Sequence, residues 1–137
     1  MSEAPAGAAP ADGIVSRRSP HSVADTVAKL SDLISAAGAT LFAVIDQSGE
    51  AEKAGLTLRD TKLLIFGSPA AGTQIMAADP LAAIDLPLKI VVWPDDDGTV
   101  WMTYLDPAWL AARHGLTGPV AAPLSAPAAL TEKAATP

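Results

Sequence analysis

The sequence predicts an α+β fold, a two-layer sandwich with a mainly antiparallel sheet in the order β-α-β-β-β-β-α, interrupted by short helical excursions. Three observations carry this reading. Residues 22–37 place apolar side chains at helical spacing. β-Branched and aromatic runs recur at 40–46, 61–66, 88–93 and 99–105. The last two of these runs are so close together that only an antiparallel hairpin joins them.

In chain order, Ile14-Val15-Ser16 reads as a short first strand. The helix that follows gathers Val23, Val27, Leu30, Ile34 and Ala37 on one face and keeps Asp25, Lys29 and Asp32 off it. Ser22 and Asp25 form a capping-box pattern at its start, and Gly38 supplies a left-handed cap at its end. TLFAVID (40–46) is the second strand, and a helical turn or two is expected around Glu50–Ala54. TKLLIF (61–66) is the third strand, broken by Gly67 and Pro69, with another helical turn at Gln74–Ala77. Asp79-Pro80 opens a short helix, LAAID, which Pro87 stops. LKIVVW (88–93) and TVWMTYL (99–105) are joined by Pro94 and the turn Asp95-Asp96-Asp97-Gly98. With Gly98 left-handed in a three-residue loop, Trp93 lies opposite Trp101. That register puts Ile90, Val92, Met102 and Tyr104 on one face, and Lys89, Val91, Trp93, Trp101, Thr103 and Leu105 on the other. Asp106-Pro107 starts a last helix, AWLAARH, capped by Gly115.

The chain has 137 residues, half of them apolar, which is one domain's worth. Residues 1–12 and 117–137 are Ala/Pro-rich, lack aromatics and are expected to be disordered tails, because ordering a residue costs roughly 1–2 kcal/mol and they bring little apolar surface to offset it. The single α+β domain is then 13–116, which contains all six aromatics. With no cysteine, disulfides, thiolate metal sites and a cysteine nucleophile are excluded. A net charge of −6 lacks the footprint of a nucleic-acid or anionic-membrane binder. No run reaches the roughly 18 apolar residues of a membrane span. The N-terminus lacks the basic and apolar regions of a signal peptide, so a cytoplasmic protein is expected.

Among the motifs, Gly67-Ser68-Pro69-Ala70-Ala71-Gly72-Thr73 has the glycine spacing of a phosphate-binding loop, but Thr73 and Gln74 stand where the lysine and the metal-binding hydroxyl belong, so nucleotide hydrolysis is rejected. A tight turn, or an anion held by the amides after Gly72, is what remains. Asp95-Asp96-Asp97 lacks the spacing of a calcium loop and reads as a solvated hairpin tip. His21 and His114 have no ligand-spaced partners, so no metal is expected. No serine sits in a G-x-S-x-G elbow, and Asp46, Asp85 and Asp106 stand at element ends where carboxylates can converge.

The run LFAVIDQSGEAEKAGLTLRDTKLLIFGSPAAGTQIM, then DLPLKIVVWPDDDGTVWMTYLDP and LAARHGL, resembles the "domain of unknown function 302" family over nearly all of 13–116. The resemblance implies a compact domain similar in topology to the TATA-binding-protein fold, homodimeric, with no established activity. Relatives carry histidine after the aspartate at 46, asparagine between the glycine and proline of the loop and asparagine after the tyrosine at 104; this chain has Gln47, Ser68 and Leu105. An amide at 47 removes proton transfer through that position.

Together these readings describe a small cytoplasmic homodimeric domain, non-catalytic and without a cofactor, that binds a small, anionic ligand or serves as an interaction module. Its site is expected where Asp46, Gln47, Gly67, Ser68, Gly72 and Thr73 meet Trp93 and Trp101, with Lys89 adding positive charge. The apolar second sheet face is covered by the excursions 47–60 and 67–87, by a second copy or by a ligand. The alternative is a metal-free enzyme using Asp46 or Asp106 with His114.

Overall fold

The computed structural model describes residues 4–137, and its sheet has five strands, all antiparallel: β1 (Ile14–Ser19), β2 (Thr40–Asp46), β3 (Lys62–Gly67), β4 (Leu88–Pro94) and β5 (Val100–Leu105), in spatial order β1-β5-β4-β3-β2. Five α-helices join them: α1 (Val23–Ala36), α2 (Gln47–Lys53), α3 (Pro69–Ala78), α4 (Pro107–Arg113) and α5 (Ala126–Ala134). Two 3₁₀ segments, Pro80–Asp85 and Gly118–Ser125, complete the order. The expected α+β sandwich is the architecture found.

Strand alternation sorts the sheet's side chains. Leu64, Phe66, Ile90, Val92, Met102 and Tyr104 point to one face and form the core with Leu30 and Ile34 of α1 and Leu130 and Ala134 of α5. The Trp93–Trp101 register expected of the hairpin is present, with Val92 opposite Met102. Gly98 takes φ +81° at its turn, a backbone conformation open to glycine at little cost. Ser22 caps α1, its Oγ accepting from the Asp25 N–H at 3.1 Å.

The expectation of disorder for 117–137 is corrected. Residues 118–134 form the second 3₁₀ segment and α5, whose Pro127, Leu130, Thr131 and Ala134 are buried against α1 and the sheet. Polar anchors fix them. The Arg17 Nε donates to Thr131 Oγ1 at 3.2 Å, and the Lys29 ammonium donates to the Thr136 carbonyl at 2.8 Å. The first tail is also held in part: the Ala6 N–H donates to Asp95 Oδ2 at 2.9 Å, and the Asp96 N–H to the Ala6 carbonyl at 3.1 Å. Residues 1–3 of that tail lie outside the described residues.

The opposite sheet face carries Ile45, Leu63, Ile65, Val91 and Trp93, which are half-buried and stand outside the core cluster. Excursion 67–87 does not fold over it, because Ile75 of α3 belongs to the core. Excursion 47–60 reaches only its rim, where the Arg59 guanidinium stands 5.8 Å from the centre of the Trp93 ring.

Candidate functional site

The glycine segment is a helix start rather than a loop. Ser68 is the N-cap of α3, its Oγ accepting from the Ala71 N–H at 3.4 Å, and Pro69 takes the first turn, where a missing N–H costs nothing. Gly72 lies inside the helix, and its N–H donates to the Ser68 carbonyl at 2.8 Å. The Thr73 hydroxyl donates to the Pro69 carbonyl at 2.7 Å. The anion cradle expected from amides after Gly72 is therefore spent on the helix itself.

Beside this start is a cavity of about 560 Å³. Its floor and walls come from Phe66 of β3, Ile75 and Met76 of α3, Leu86, Pro87 and Leu130, and small residues of the C-terminal segment complete it. Gly67, Ser68, Gly72 and Thr73 line it. Gly72 has a structural role here: a β-carbon on it would come no nearer than 4.0 Å to Met76 Cε, so the absence of a side chain leaves room rather than relieving a clash. Phe42 also reaches the cavity. It occupies a bulge, where the β2–β3 register slips between Leu41 and Ala43, and it stays 51% exposed.

The remaining expected site residues are elsewhere. Asp46 and Gly67 each end their strand, but β2 and β3 run antiparallel, with Asp46 opposite Lys62 and Thr40 opposite Gly67. They therefore lie at opposite ends of the paired strands, roughly 17 Å apart at the usual rise per residue. Asp46 caps α2, its Oδ1 accepting from Lys62 Nζ at 2.9 Å, the Gly49 N–H at 2.9 Å and Ser48 Oγ at 2.7 Å. The Lys62 hydrogen bond, then the Gly49 N–H, hold this carboxyl well below the usual carboxylate range, and Asp46 in turn raises Lys62. Gln47 opens α2 and, with Leu58, Arg59 and Trp93, borders a second depression of about 910 Å³ that the segment 4–11 flanks.

The two tryptophans also face away from the glycine segment. Trp93 Nε1 donates to Thr103 Oγ1 at 2.9 Å. Trp101 is 3% exposed and donates to Asp95 Oδ2 at 2.9 Å. Lys89 donates to the Pro87 carbonyl at 2.8 Å, from a sheet position whose neighbour Leu88 faces the core. The hairpin tip is not a solvated acid cluster either. Asp95 is buried and accepts from the N–H groups of Ala6, Asp97 and Thr99 as well as from Trp101. These donors, the Ala6 N–H foremost, lower its carboxyl to about 2.

The acid–base pairs considered from sequence do not form. Asp106 caps α4 through the Ala108 N–H at 3.3 Å, and Asp46 stands at another edge. His114, with its side chain 7% exposed, instead meets two aspartates: Nε2 lies 2.5 Å from Asp85 Oδ2 and Nδ1 3.2 Å from Asp79 Oδ2. The pair clamps the first 3₁₀ segment onto α4 and leaves neither ring nitrogen open to a substrate. Because the two carboxylates sit at different ring nitrogens, they do not converge on one ion. Among the described residues no group of three histidine, aspartate or glutamate side chains could hold a metal.

The cavity residues that the sequence did not point to include Phe42, Met76, Pro87, Leu130 and Lys133. Phe42 had no distinct signal, because Leu41 to Ile45 is an unbroken apolar run in which a bulge leaves no mark. Lys133 had none, since the apolar period of its segment is too faint to read against an Ala/Pro background.

Compared with known proteins, residues 15–129 match the family model described as "Domain of unknown function DUF302". A "Fluoride-specific ion channel FluC 1" of Brucella suis biovar 1 (strain 1330) is 41% identical over 104 residues, which are 76% of this chain and 41% of that protein. The "Fluoride-specific ion channel FluC 1" of Brucella abortus biovar 1 (strain 9-941) is likewise 41% identical over 104 residues, 38% of its own length. The chain thus spans about two fifths of these curated relatives. A crystal structure of an uncharacterised conserved protein from Bacillus stearothermophilus superposes with a TM-score of 0.77 at 17% identity, covering 92% of this chain and 100% of that one.

Proposed function

The chain belongs to the DUF302 family, and from that premise we propose that it is a non-catalytic ligand-binding domain whose site is the cavity between α3, the Phe42 bulge and α5. The observation that carries this reading is the cavity itself. At about 560 Å³ it falls within the range of small-molecule sites, with apolar walls and a few polar groups at its edge. Binding without chemistry is supported by His114, whose two ring nitrogens are both engaged by aspartates. The half-buried apolar sheet face around Leu63, Val91 and Trp93 supports a homodimer, and the net charge of −6 supports a partner other than nucleic acid.

The test is a cavity-filling substitution. Gly72→Leu grows a side chain into the space that Gly72 leaves and improves helix propensity, so the variant is expected to stay folded. Crystals of the wild type soaked in mixed metabolites are expected to gain density beside α3 that Gly72→Leu crystals lack. Density elsewhere in both, or nowhere in either, sinks the reading.

A second reading comes from the named relatives, which join a matching region to a longer chain called a fluoride channel. No helix among the described residues here is long and apolar enough to cross a membrane. This favours an accessory role beside such a channel over conduction by this region. Liposomes carrying this chain alone are expected to release fluoride no faster than protein-free ones; faster release would overturn the accessory role.

A further inference from the structure

Resting on the reading of the cavity as the ligand site, we propose that its occupant is a free organic monocarboxylate with an extended apolar body, of the fatty-acid kind. The apolar body follows from the walls: Phe42, Ile75, Met76, Leu86 and Leu130 offer hydrocarbon and one thioether, and the unbranched Met76 adapts its shape to what it meets. The charge follows from the rim. Among the described residues, Lys133 is the one charged side chain lining the cavity and no carboxylate lines it, in a protein of net charge −6. The site is a positive spot on an acidic molecule, and it discriminates against cations.

Lys133 also differs from the other lysines. Lys29 donates to the Thr136 carbonyl, Lys53 pairs with Glu50, Lys62 with Asp46 and Asp60, and Lys89 donates to the Pro87 carbonyl. The Lys133 ammonium has no such partner among the described residues. Ser68 lines the same cavity, and its Oγ accepts from the Ala71 N–H and keeps its own O–H to donate. One ammonium and one hydroxyl match a monoanion. A phosphate would need more, and two of the backbone amides at the start of α3 already serve the helix: Ala71 bonds Ser68 Oγ and Gly72 bonds the Ser68 carbonyl.

The experiment compares dodecanoate, dodecanol and dodecyl phosphate by titration calorimetry below their micellar concentrations. Wild type is expected to bind dodecanoate about tenfold more tightly than dodecanol, the size of one charge-assisted hydrogen bond, and more tightly than dodecyl phosphate. Lys133→Met is expected to bring dodecanoate down to the dodecanol affinity with dodecanol unchanged, while Lys133→Arg keeps most of the difference. Gly72→Leu is expected to abolish binding of both. Equal affinities for dodecanoate and dodecanol, tighter dodecyl phosphate, or full dodecanoate affinity in Lys133→Met overturn the carboxylate class; binding that Gly72→Leu still removes leaves the cavity reading standing. Dodecanoate binding that survives Gly72→Leu overturns the cavity reading along with it. No binding of any dodecyl compound overturns the proposal alone, and the metabolite soak then decides the cavity.

Discussion

The Asp95 carboxylate gathers three backbone N–H groups and the Trp101 indole around one hairpin tip, and through Ala6 it ties the N-terminal segment to the same point. Its proton affinity in the fold is lowered to about 2 from an ordinary 3.8. A carboxyl lowered in this way adds stability that is fully present above the ordinary value and is lost as pH falls from about 4 towards 2. Asp95→Asn, which offers one acceptor oxygen in place of two, is expected to lower the melting temperature at pH 7 by several degrees and to flatten its decline between pH 4 and pH 2. Thermal unfolding followed by circular dichroism at both pH values checks this, and parallel wild-type and variant profiles would refute it. From sequence alone, three consecutive aspartates before a glycine signal a turn, and the turn is where they are. Which of the three turns inward is not written in their order. It depends on where Trp101 and the distant Ala6 come to rest.

At the scale of elements, α5 explains what periodicity does and does not carry. Pro127, Leu130, Thr131 and Ala134 stand at i, i+3, i+4 and i+7, the face of an amphipathic helix, and all four are buried. With leucine at only one of these places, the apolar contrast is too thin to read against an Ala/Pro background, and the helix owes its order to packing on α1. Small residues suit that contact because they let the two helices approach closely. Leu130→Ala is expected to cost about 2–5 kcal/mol in urea unfolding. Removing residues 117–137 is expected to abolish the cooperative transition by uncovering Leu30 and Ile34; an unchanged transition would restore the picture of a loose tail. The boundaries of α1 and the hairpin were legible because each has a strong period and a chemical stop, such as Ser22 and Gly38 for α1.

Over the whole molecule, helices cover one face of the sheet and leave the other apolar. Ile65, Leu63, Val91 and Trp93 form a half-exposed band across neighbouring strands, flanked by the segment 4–11. We expect the protein in solution to be a dimer joined through this band. Light scattering checks it: wild type is expected at twice the chain mass, and Val91→Lys, which sets a charge in the centre of the band, at the chain mass. Val91 suits the purpose better than Trp101, whose substitution would disturb the hairpin tip. A monomeric wild type would refute the dimer.

The sequence by itself determined the class of fold, the order of its strands and of the helices as far as α4, and the hairpin register, because each of these follows from local periodicity, capping or turn chemistry. Only the tertiary structure decided that α5 forms and which residues line the cavity. Antiparallel pairing sends Asp46 and Gly67 to opposite ends of their neighbouring strands, and the packing of α5 brings Lys133 to the cavity from some sixty positions along the chain. The physical reason is the same in both cases: a strand or helix period reports which way a side chain faces within its own element, and only pairing and packing report what it faces.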